Sequence, residues 1–129
     1  MLTIGGLVVG VDDVTRATSF WTRALEYVVD AANTNERWVT LRPPDGAGPA
    51  LYLQRSETPV QDRPRLHLDL DARDLADQAA EVERLVRLGA TRVEWDDYPE
   101  DPDFVVLADT EGNRFCVVDT SHVKAEDRP

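Results

Sequence analysis

The feature of this sequence that most constrains its fold is an order of elements that occurs twice. The first half predicts a buried strand at 4–11, a helix ending near Tyr27, and strands at Tyr27–Ala31, Glu36–Leu41 and Ala50–Arg55. The second half predicts a strand at Arg65–Asp71, a helix ending near Gly89, and strands at Thr91–Trp95, Phe104–Ala108 and Arg114–Asp119. This repeat predicts an α+β fold of two β-α-β-β-β modules around a concave cleft.

The chain length sets the expected domain organisation. A chain of 129 residues is long enough for one compact domain with a real core. We expect a single domain over 1–129, with module one at about 1–56 and module two at about 65–120. A polar, proline-containing crossover at about 57–64 links them and is too short to separate independent domains. A polar tail follows at 121–129.

Each predicted helix has a capping signal and an apolar stripe. Asp12 and Asp13 can cap the first helix, and Asp71 with Asp74 resembles a capping box for the second. Spacings of three and four then define the two stripes. The first comprises Val14, Ala17, Trp21, Ala24 and Leu25, and the second comprises Leu75, Ala79, Val82, Val86 and the C-capping Gly89. We expect Trp21 to lie in the core.

Strand alternation predicts which side chains face away from the helices. In 65–71, Leu66, Leu68 and Leu70 alternate with His67, Asp69 and Asp71, so the two sets face opposite sides of the sheet. The same reasoning places a mixed polar set on the face opposite the helices: Gly6, Tyr52, Gln54, His67, Asp69 and Cys116. When the halves are overlaid, a shift of 61 aligns Gly6 with His67, and a shift of 62 aligns Gln54 with Cys116.

Charge and cysteine content exclude several function classes. The net charge is −11, from 25 acids against 14 Lys and Arg, so binding to nucleic acid or to an anionic membrane is disfavoured. No apolar run approaches the roughly 20 residues that span a bilayer, and no basic segment precedes an apolar stretch at Met1–Ile4. Cys116 is the only cysteine, which precludes an intrachain disulfide. We therefore expect an acidic cytoplasmic protein.

Four motifs, in order along the chain, carry a family resemblance. They are the Val11–Leu25 helix opening with Phe20-Trp21, the His67-Leu68-Asp69-Leu70 strand, Leu88-Gly89-Ala90, and the Asp109–Phe115 turn. Together they resemble the vicinal-oxygen-chelate superfamily of glyoxalases, bleomycin-resistance proteins and extradiol dioxygenases, and most closely its glyoxalase-like domains. The resemblance implies the paired-module fold, and it also implies a homodimer, since relatives often build their clefts across a dimer.

The resemblance also implies where a catalytic metal would bind. In metal-dependent members, four strands each supply a ligand, and these positions correspond here to Gly6, Gln54, His67 and Cys116. Glycine has no donor atom and only His67 keeps the usual residue type, so we expect no complete catalytic metal site and no cofactor. A divalent metal, held as a zinc site by His67, Gln54 and Cys116, remains the alternative.

The remaining candidates each have a structural and a functional interpretation. His67 lines a polar cleft or serves as a ligand or general base, and Asp69 orients it, binds a cation or is simply exposed. Cys116 is a small buried hydrophobe or a nucleophile. The aromatic residues Trp38, Tyr52, Trp95 and Phe104 are candidate stacking walls for a flat ligand. The acidic segment 96–103 is a solvated loop, or it attracts a cationic ligand, and His122 in the tail is uninvolved.

Three functions are compatible with these features. The leading hypothesis is a protein that binds a small organic molecule in an aromatic-lined cleft, as the bleomycin-resistance branch does. The first alternative is a metal-dependent lyase, isomerase or dioxygenase that uses His67. The second is a dimerising domain without small-molecule activity. The sequence leaves open whether the protein is an enzyme, because fold resemblance does not determine function.

Overall fold

The first half of the chain forms one β-α-β-β-β module. A computed structural model describes residues 1–121. Its first elements are β1 (Gly6–Val11), α1 (Val14–Leu25), β2 (Val28–Val29), β3 (Trp38–Arg42) and β4 (Ala50–Arg55), with a short 3-10 turn at Ala31–Asn33. The strands form a sheet in the order β1-β4-β3-β2, in which β1–β4 is a parallel pair and β4–β3 and β3–β2 are antiparallel pairs. A parallel pair requires a crossover connection, and α1 begins that connection.

The second half repeats this arrangement. Its elements are β5 (Leu68–Ala72), α2 (Leu75–Leu88), β6 (Thr91–Arg92), β7 (Phe104–Ala108) and β8 (Arg114–Asp119). The sheet order is β5-β8-β7-β6, in which β5–β8 is a parallel pair and β8–β7 and β7–β6 are antiparallel pairs. The α+β class and the repeated module order predicted from the sequence are therefore confirmed. The chain divides into two compact units, Met1–Pro59 and one that begins at Val60, which falls inside the predicted crossover.

Several predicted boundaries differ from those in the structure. The second strand of each module has only two residues, whereas the sequence predicted five for each, Tyr27–Ala31 and Thr91–Trp95. The strand predicted to begin at Arg65 begins at Leu68, so His67 lies immediately before β5. Leu66, predicted to face the second helix, is 74% exposed outside the strand. Within residues 1–121, neither helix is long and apolar enough to cross a membrane.

Helix α1 follows the sequence prediction closely. The Asp13 carboxylate accepts a hydrogen bond from the backbone N–H of Arg16 at 3.0 Å, which caps the helix. The predicted stripe is buried, except that Leu25 is half-buried, and it also includes Phe20. Phe20 and Trp21 pack edge to face with ring centroids 5.0 Å apart, which confirms Trp21 as a core residue.

Helix α2 is capped near the predicted place, but its buried face was predicted wrongly. Asp74 accepts from the backbone N–H of Asp77 at 2.8 Å, so the capping pair is Asp74 and Asp77 and does not include Asp71. Of the predicted stripe, Val82 is buried, but Leu75 and Val86 are exposed. Ala79 is exposed as well. The buried face consists of Gln78, Val82 and Leu85.

A buried glutamine accounts for this rotation of α2. The side-chain amide nitrogen of Gln78 donates to the backbone oxygens of Asp103 at 3.1 Å and Val117 at 2.9 Å. These bonds satisfy the amide nitrogen of a residue that is only 5% exposed. Gly89 ends the helix with a φ of 123°, as expected of its predicted capping role.

The turn between β7 and β8 is the one that the sequence indicated. The Asp109 carboxylate accepts from the backbone N–H groups of Glu111 at 2.8 Å and Asn113 at 2.9 Å. Gly112 has a φ of 88°, a conformation that favours glycine. This turn sets the register in which Val106 lies opposite Cys116.

Candidate functional site

The second module contains a cavity of about 470 Å³. Its walls come from β5, β7, β8 and the segments that precede them. The lining residues are Arg63, Pro64, His67, Asp69, Trp95, Asp97, Asp103, Phe104, Val106, Arg114, Phe115, Cys116 and Val118. Five of the residues predicted to form a site, His67, Asp69, Trp95, Phe104 and Cys116, are therefore brought together here.

Three polar side chains converge in this cavity. The Nε2 atom of His67 lies 3.1 Å from Oδ1 of Asp69, and both side chains are about half exposed. Asp69 lies directly opposite Cys116 in the parallel β5–β8 ladder. The possible donor atoms of these three residues all lie within 4.8 Å of one another. This proximity results from strand alternation, which puts residues 67 and 69 on one face, and from the register with β8.

Cys116 is a buried, protonated thiol. It is 7% exposed and packs with Val106 and Val118, against which Trp95 and Phe104 also pack. Burial, and secondarily the negative charge of Asp69, raise the pKa of the thiol to about 12. At neutral pH the metal-free protein therefore presents a thiol and not a thiolate nucleophile, which favours the structural interpretation of this cysteine.

Aromatic residues form one wall of the cavity. The guanidinium carbon of Arg63 lies 5.1 Å from the ring centroid of Trp95, a cation–π contact. Arg63 also forms ion pairs with Asp96 and, at 3.8 Å, with Asp97. No local sequence signal indicates Arg63, which lies in the polar crossover and contacts a ring that is remote in the chain.

The acidic segment 96–103 also contributes to the cavity wall. The Tyr98 and Phe104 rings lie 5.2 Å apart, and the Tyr98 hydroxyl oxygen accepts from the backbone N–H of Val106 at 2.8 Å. Asp97 and Asp103 line the cavity. The Arg114 guanidinium lies 3.2 Å from Asp62 and donates to the Gly112 carbonyl at 2.9 Å. The acidic segment therefore lines the cavity, and the two arginines of the lining are ion-paired.

The other predicted site residues belong to the first sheet. Trp38 and Tyr52 stack with ring centroids 5.2 Å apart and 31° between the ring planes. Gln54 is exposed on β4 and pairs with Trp38 across the antiparallel ladder. A Cβ atom added to Gly6 would lie 2.6 Å from both the Ala50 carbonyl oxygen and the Tyr52 ring. The Tyr52 ring therefore occupies the space that the Cβ atom of a metal-binding side chain at position 6 would need.

The four-strand metal set implied by the family resemblance therefore does not fit this chain. Gly6 supplies no donor, and the backbone oxygen of Ala50 leaves no room for a larger residue at that position. The remaining positions offer an amide oxygen from Gln54, an imidazole nitrogen from His67 and a sulfur from Cys116. Hard cations instead prefer sets made entirely of oxygen ligands.

The strand ladders correct one part of the overlay of the two halves. Counted back from the capping aspartates of the two helices, Gly6 and His67 are equivalent, as the sequence predicted. By the same count Val8 corresponds to Asp69; Val8 pairs with Tyr52, and Asp69 pairs with Cys116. Tyr52, and not Gln54, is therefore the structural equivalent of Cys116. The connections that precede β4 and β8 differ in length. One constant residue offset between the two halves therefore does not align both their first and their last strands.

Comparison with known proteins places this fold. A family model described as a glyoxalase-like domain matches residues 6–118. The chain belongs to the glyoxalase-like domain family. This family places it in the vicinal-oxygen-chelate superfamily, as the motifs predicted. No curated protein sequence matches the chain significantly.

His122, predicted to be uninvolved, lies outside the described residues.

Solved structures show the same glyoxalase-like fold at low sequence identity. A glyoxalase-related enzyme from Fulvimarina pelagi is 16% identical with a TM-score of 0.70, covering 99% of this chain and 96% of its own. The fosfomycin resistance protein FosX from Listeria monocytogenes is 12% identical with a TM-score of 0.73, covering 98% and 95%. A glyoxalase/bleomycin resistance protein/dioxygenase family enzyme from Burkholderia phytofirmans is 12% identical with a TM-score of 0.70, covering 90% and 97%.

Proposed function

We propose that this protein binds a small organic molecule in the cavity of its second module. The observation that carries the proposal is the cavity itself, which has a volume of about 470 Å³, the size of a typical ligand site. Trp95, Phe104, Val106 and Val118 supply apolar surface, and His67 with Asp69 supplies polar atoms to orient a ligand. Apolar walls with a few convergent polar groups are the usual composition of such sites.

The charges around the cavity favour a neutral or cationic ligand over an anionic one. Asp69, Asp97 and Asp103 line it, whereas its two arginines, Arg63 and Arg114, already form ion pairs. A carboxylate or phosphate ligand would have to displace an aspartate from an arginine. A ligand amine, by contrast, would gain from Asp69 and from the net charge of −11 on the chain.

Thermal-shift titration of the full chain tests this proposal. We would use small aromatic amines and aromatic carboxylates of matched ring size. A ligand at 100 times its Kd stabilises the folded state by about 2.7 kcal/mol. We expect amines to raise the unfolding midpoint in a concentration-dependent manner, and Asp69→Asn to reduce that shift. Asp71→Asn, an exposed acid on the same strand, is the matched control and should leave the shift unchanged.

Two results would contradict the proposal. If no compound in the panel shifts the midpoint, the alternative of a dimerising domain without ligand gains support. If a compound binds but the Asp69 and Asp71 variants respond equally, its site lies elsewhere. The predicted homodimer and the cytoplasmic location remain predictions, and light scattering of the purified chain would measure the former.

The metal-dependent enzyme is the second candidate function. The specific observation that favours it is the convergence of His67, Asp69 and Cys116. A Lewis-acidic ion at these residues would face a cavity that can admit substrate. An activity of this kind requires, as a first condition, that the three side chains bind an ion.

A further inference from the structure

Three side chains with different donor atoms meet on the surface of the cavity. His67 offers an imidazole nitrogen, Asp69 a carboxylate oxygen and Cys116 a sulfur, all within 4.8 Å of one another. Zinc is bound in proteins by these three ligand types at about 2.0–2.3 Å. By contrast, magnesium and calcium prefer oxygen ligands throughout. The mixed donor set therefore points to a transition-metal ion.

We propose that His67, Asp69 and Cys116 bind one zinc-like divalent ion, with a coordination position open to the cavity. This set shares His67 and Cys116 with the four-strand set implied by the family resemblance. It differs in its third ligand, Asp69, requires neither Gly6 nor Gln54, and lies within a single module. Three protein ligands and an open position are typical of zinc sites that accept a substrate or ligand.

The geometry requires only small movements. Tetrahedral zinc with these bond lengths separates its ligand atoms by about 3.3–3.8 Å. Nε2 of His67 and Oδ1 of Asp69 are already 3.1 Å apart. Cys116 is held by its buried neighbours, but the His67 and Asp69 side chains are 43% and 52% exposed and free to close on an ion. The fixed thiol would anchor the site and the two exposed groups would complete it.

A bound ion would change the charge balance of its three ligands. A divalent cation is the largest local charge in such a site, and a coordinating thiol loses its proton. Asp69, once coordinated, balances the ion and no longer opposes the thiolate. Binding should therefore release a proton, and the affinity should rise with pH.

Zinc titration of the chelator-treated full chain, in competition with a chromophoric chelator, tests the site. We expect one ion per chain. The variants His67→Ala, Asp69→Asn and Cys116→Ser should each weaken zinc binding by at least about 100-fold, because loss of outer-shell partners alone costs 10–100-fold. Asp71→Asn does not alter the cavity lining and should bind zinc within about twofold of the unmodified chain.

Cobalt(II) substitution gives a spectroscopic readout of the thiolate ligand. A thiolate-to-cobalt charge-transfer band in the near ultraviolet is expected for the unmodified chain and should be absent from Cys116→Ser. Substoichiometric zinc, cobalt binding without that band, or equal affinities for the Asp69 and Asp71 variants would each overturn the proposal. Zinc and cobalt binding are measured without any organic ligand, so failure here leaves the small-molecule proposal intact, and the converse also holds.

Discussion

Replacing Gln78 in α2 distinguishes the face that this helix buries from the face that its apolar pattern suggests. Its side chain donates to two backbone oxygens, those of Asp103 and Val117, while only 5% exposed. The apolar stripe in the sequence instead assigns the buried positions to residues such as Val86, which is 37% exposed in the structure. Burial of Gln78 predicts that Gln78→Ala lowers the free energy of unfolding more than Val86→Ala does. Burial of the apolar stripe predicts the reverse.

The structure predicts a large loss for Gln78→Ala. Each hydrogen bond contributes about 1 kcal/mol net, and the buried methylene lost contributes about 0.8 kcal/mol, so the free energy of unfolding should fall by about 3 kcal/mol. The unfolding entropy of about 2.1 cal/mol/K per residue is about 0.27 kcal/mol/K for 129 residues. The midpoint should therefore fall by about 11 °C. Val86→Ala should change stability by no more than about 0.5 kcal/mol.

Urea and thermal unfolding followed by far-ultraviolet circular dichroism would measure both variants. Gln78→Met, which keeps the volume but removes both donors, should lose less than Gln78→Ala, since the thioether gains from burial. The reasoning is refuted if Val86→Ala destabilises the chain more than Gln78→Ala does. That result would mean that α2 buries the stripe that the sequence indicates.

Three further substitutions test local features. Gly6→Ala should lower the free energy of unfolding in urea by about 1–3 kcal/mol, because the added Cβ has no room beside Ala50 and Tyr52. A Cβ added at Gly5 meets nothing within 4 Å among residues 1–121, so Gly5→Ala should be neutral, and equal costs for the two variants would count against the close approach at Gly6. Gly89→Ala should lower the free energy of unfolding by more than about 1 kcal/mol, because a φ of 123° is strained for a residue with a side chain. An unchanged urea midpoint would argue against that backbone conformation. The pKa of Asp77 lies below its ordinary 3.8 because the backbone N–H and then the guanidinium of Arg73 favour the carboxylate. Its contribution to stability is thus complete above that ordinary value and disappears as pH falls through the lower folded-state pKa. Asp77→Asn should therefore have a lower free energy of unfolding than the unmodified chain at pH 7, and that free energy should fall less when the pH is lowered. Parallel curves of unfolding free energy against pH for the two proteins would contradict this.

Local signals predicted most of the fold. The capping residues Asp13 and Gly89, the turn at Asp109–Asn113 and the last two strands lie where the sequence put them. Each depends on contacts within a few residues, such as an aspartate carboxylate accepting from a nearby backbone N–H. The paired modules follow because the order of such elements repeats.

The sequence also predicted part of the candidate site. His67 and Asp69 were expected on one face because alternate residues of an extended strand share a face. The contact of Asp69 with Cys116 depends on the β5–β8 register, which no local signal encodes, and the last-strand overlay was two residues in error for the same reason. Arg63 was missed because its partner Trp95 is remote in sequence.

The repeated order of elements, from which the fold was predicted, is therefore a property of the sequence alone. It requires only local propensity, caps and turns, which act over three or four residues. The tertiary structure decided which face of α2 is buried, because the carbonyl oxygens that satisfy Gln78 come from the distant residues Asp103 and Val117. It also decided that Tyr52 fills the space beside Gly6 and that a thiol, an imidazole and a carboxylate share one cavity. Such juxtapositions depend on strand register and packing between residues far apart in the chain, which periodicity does not specify.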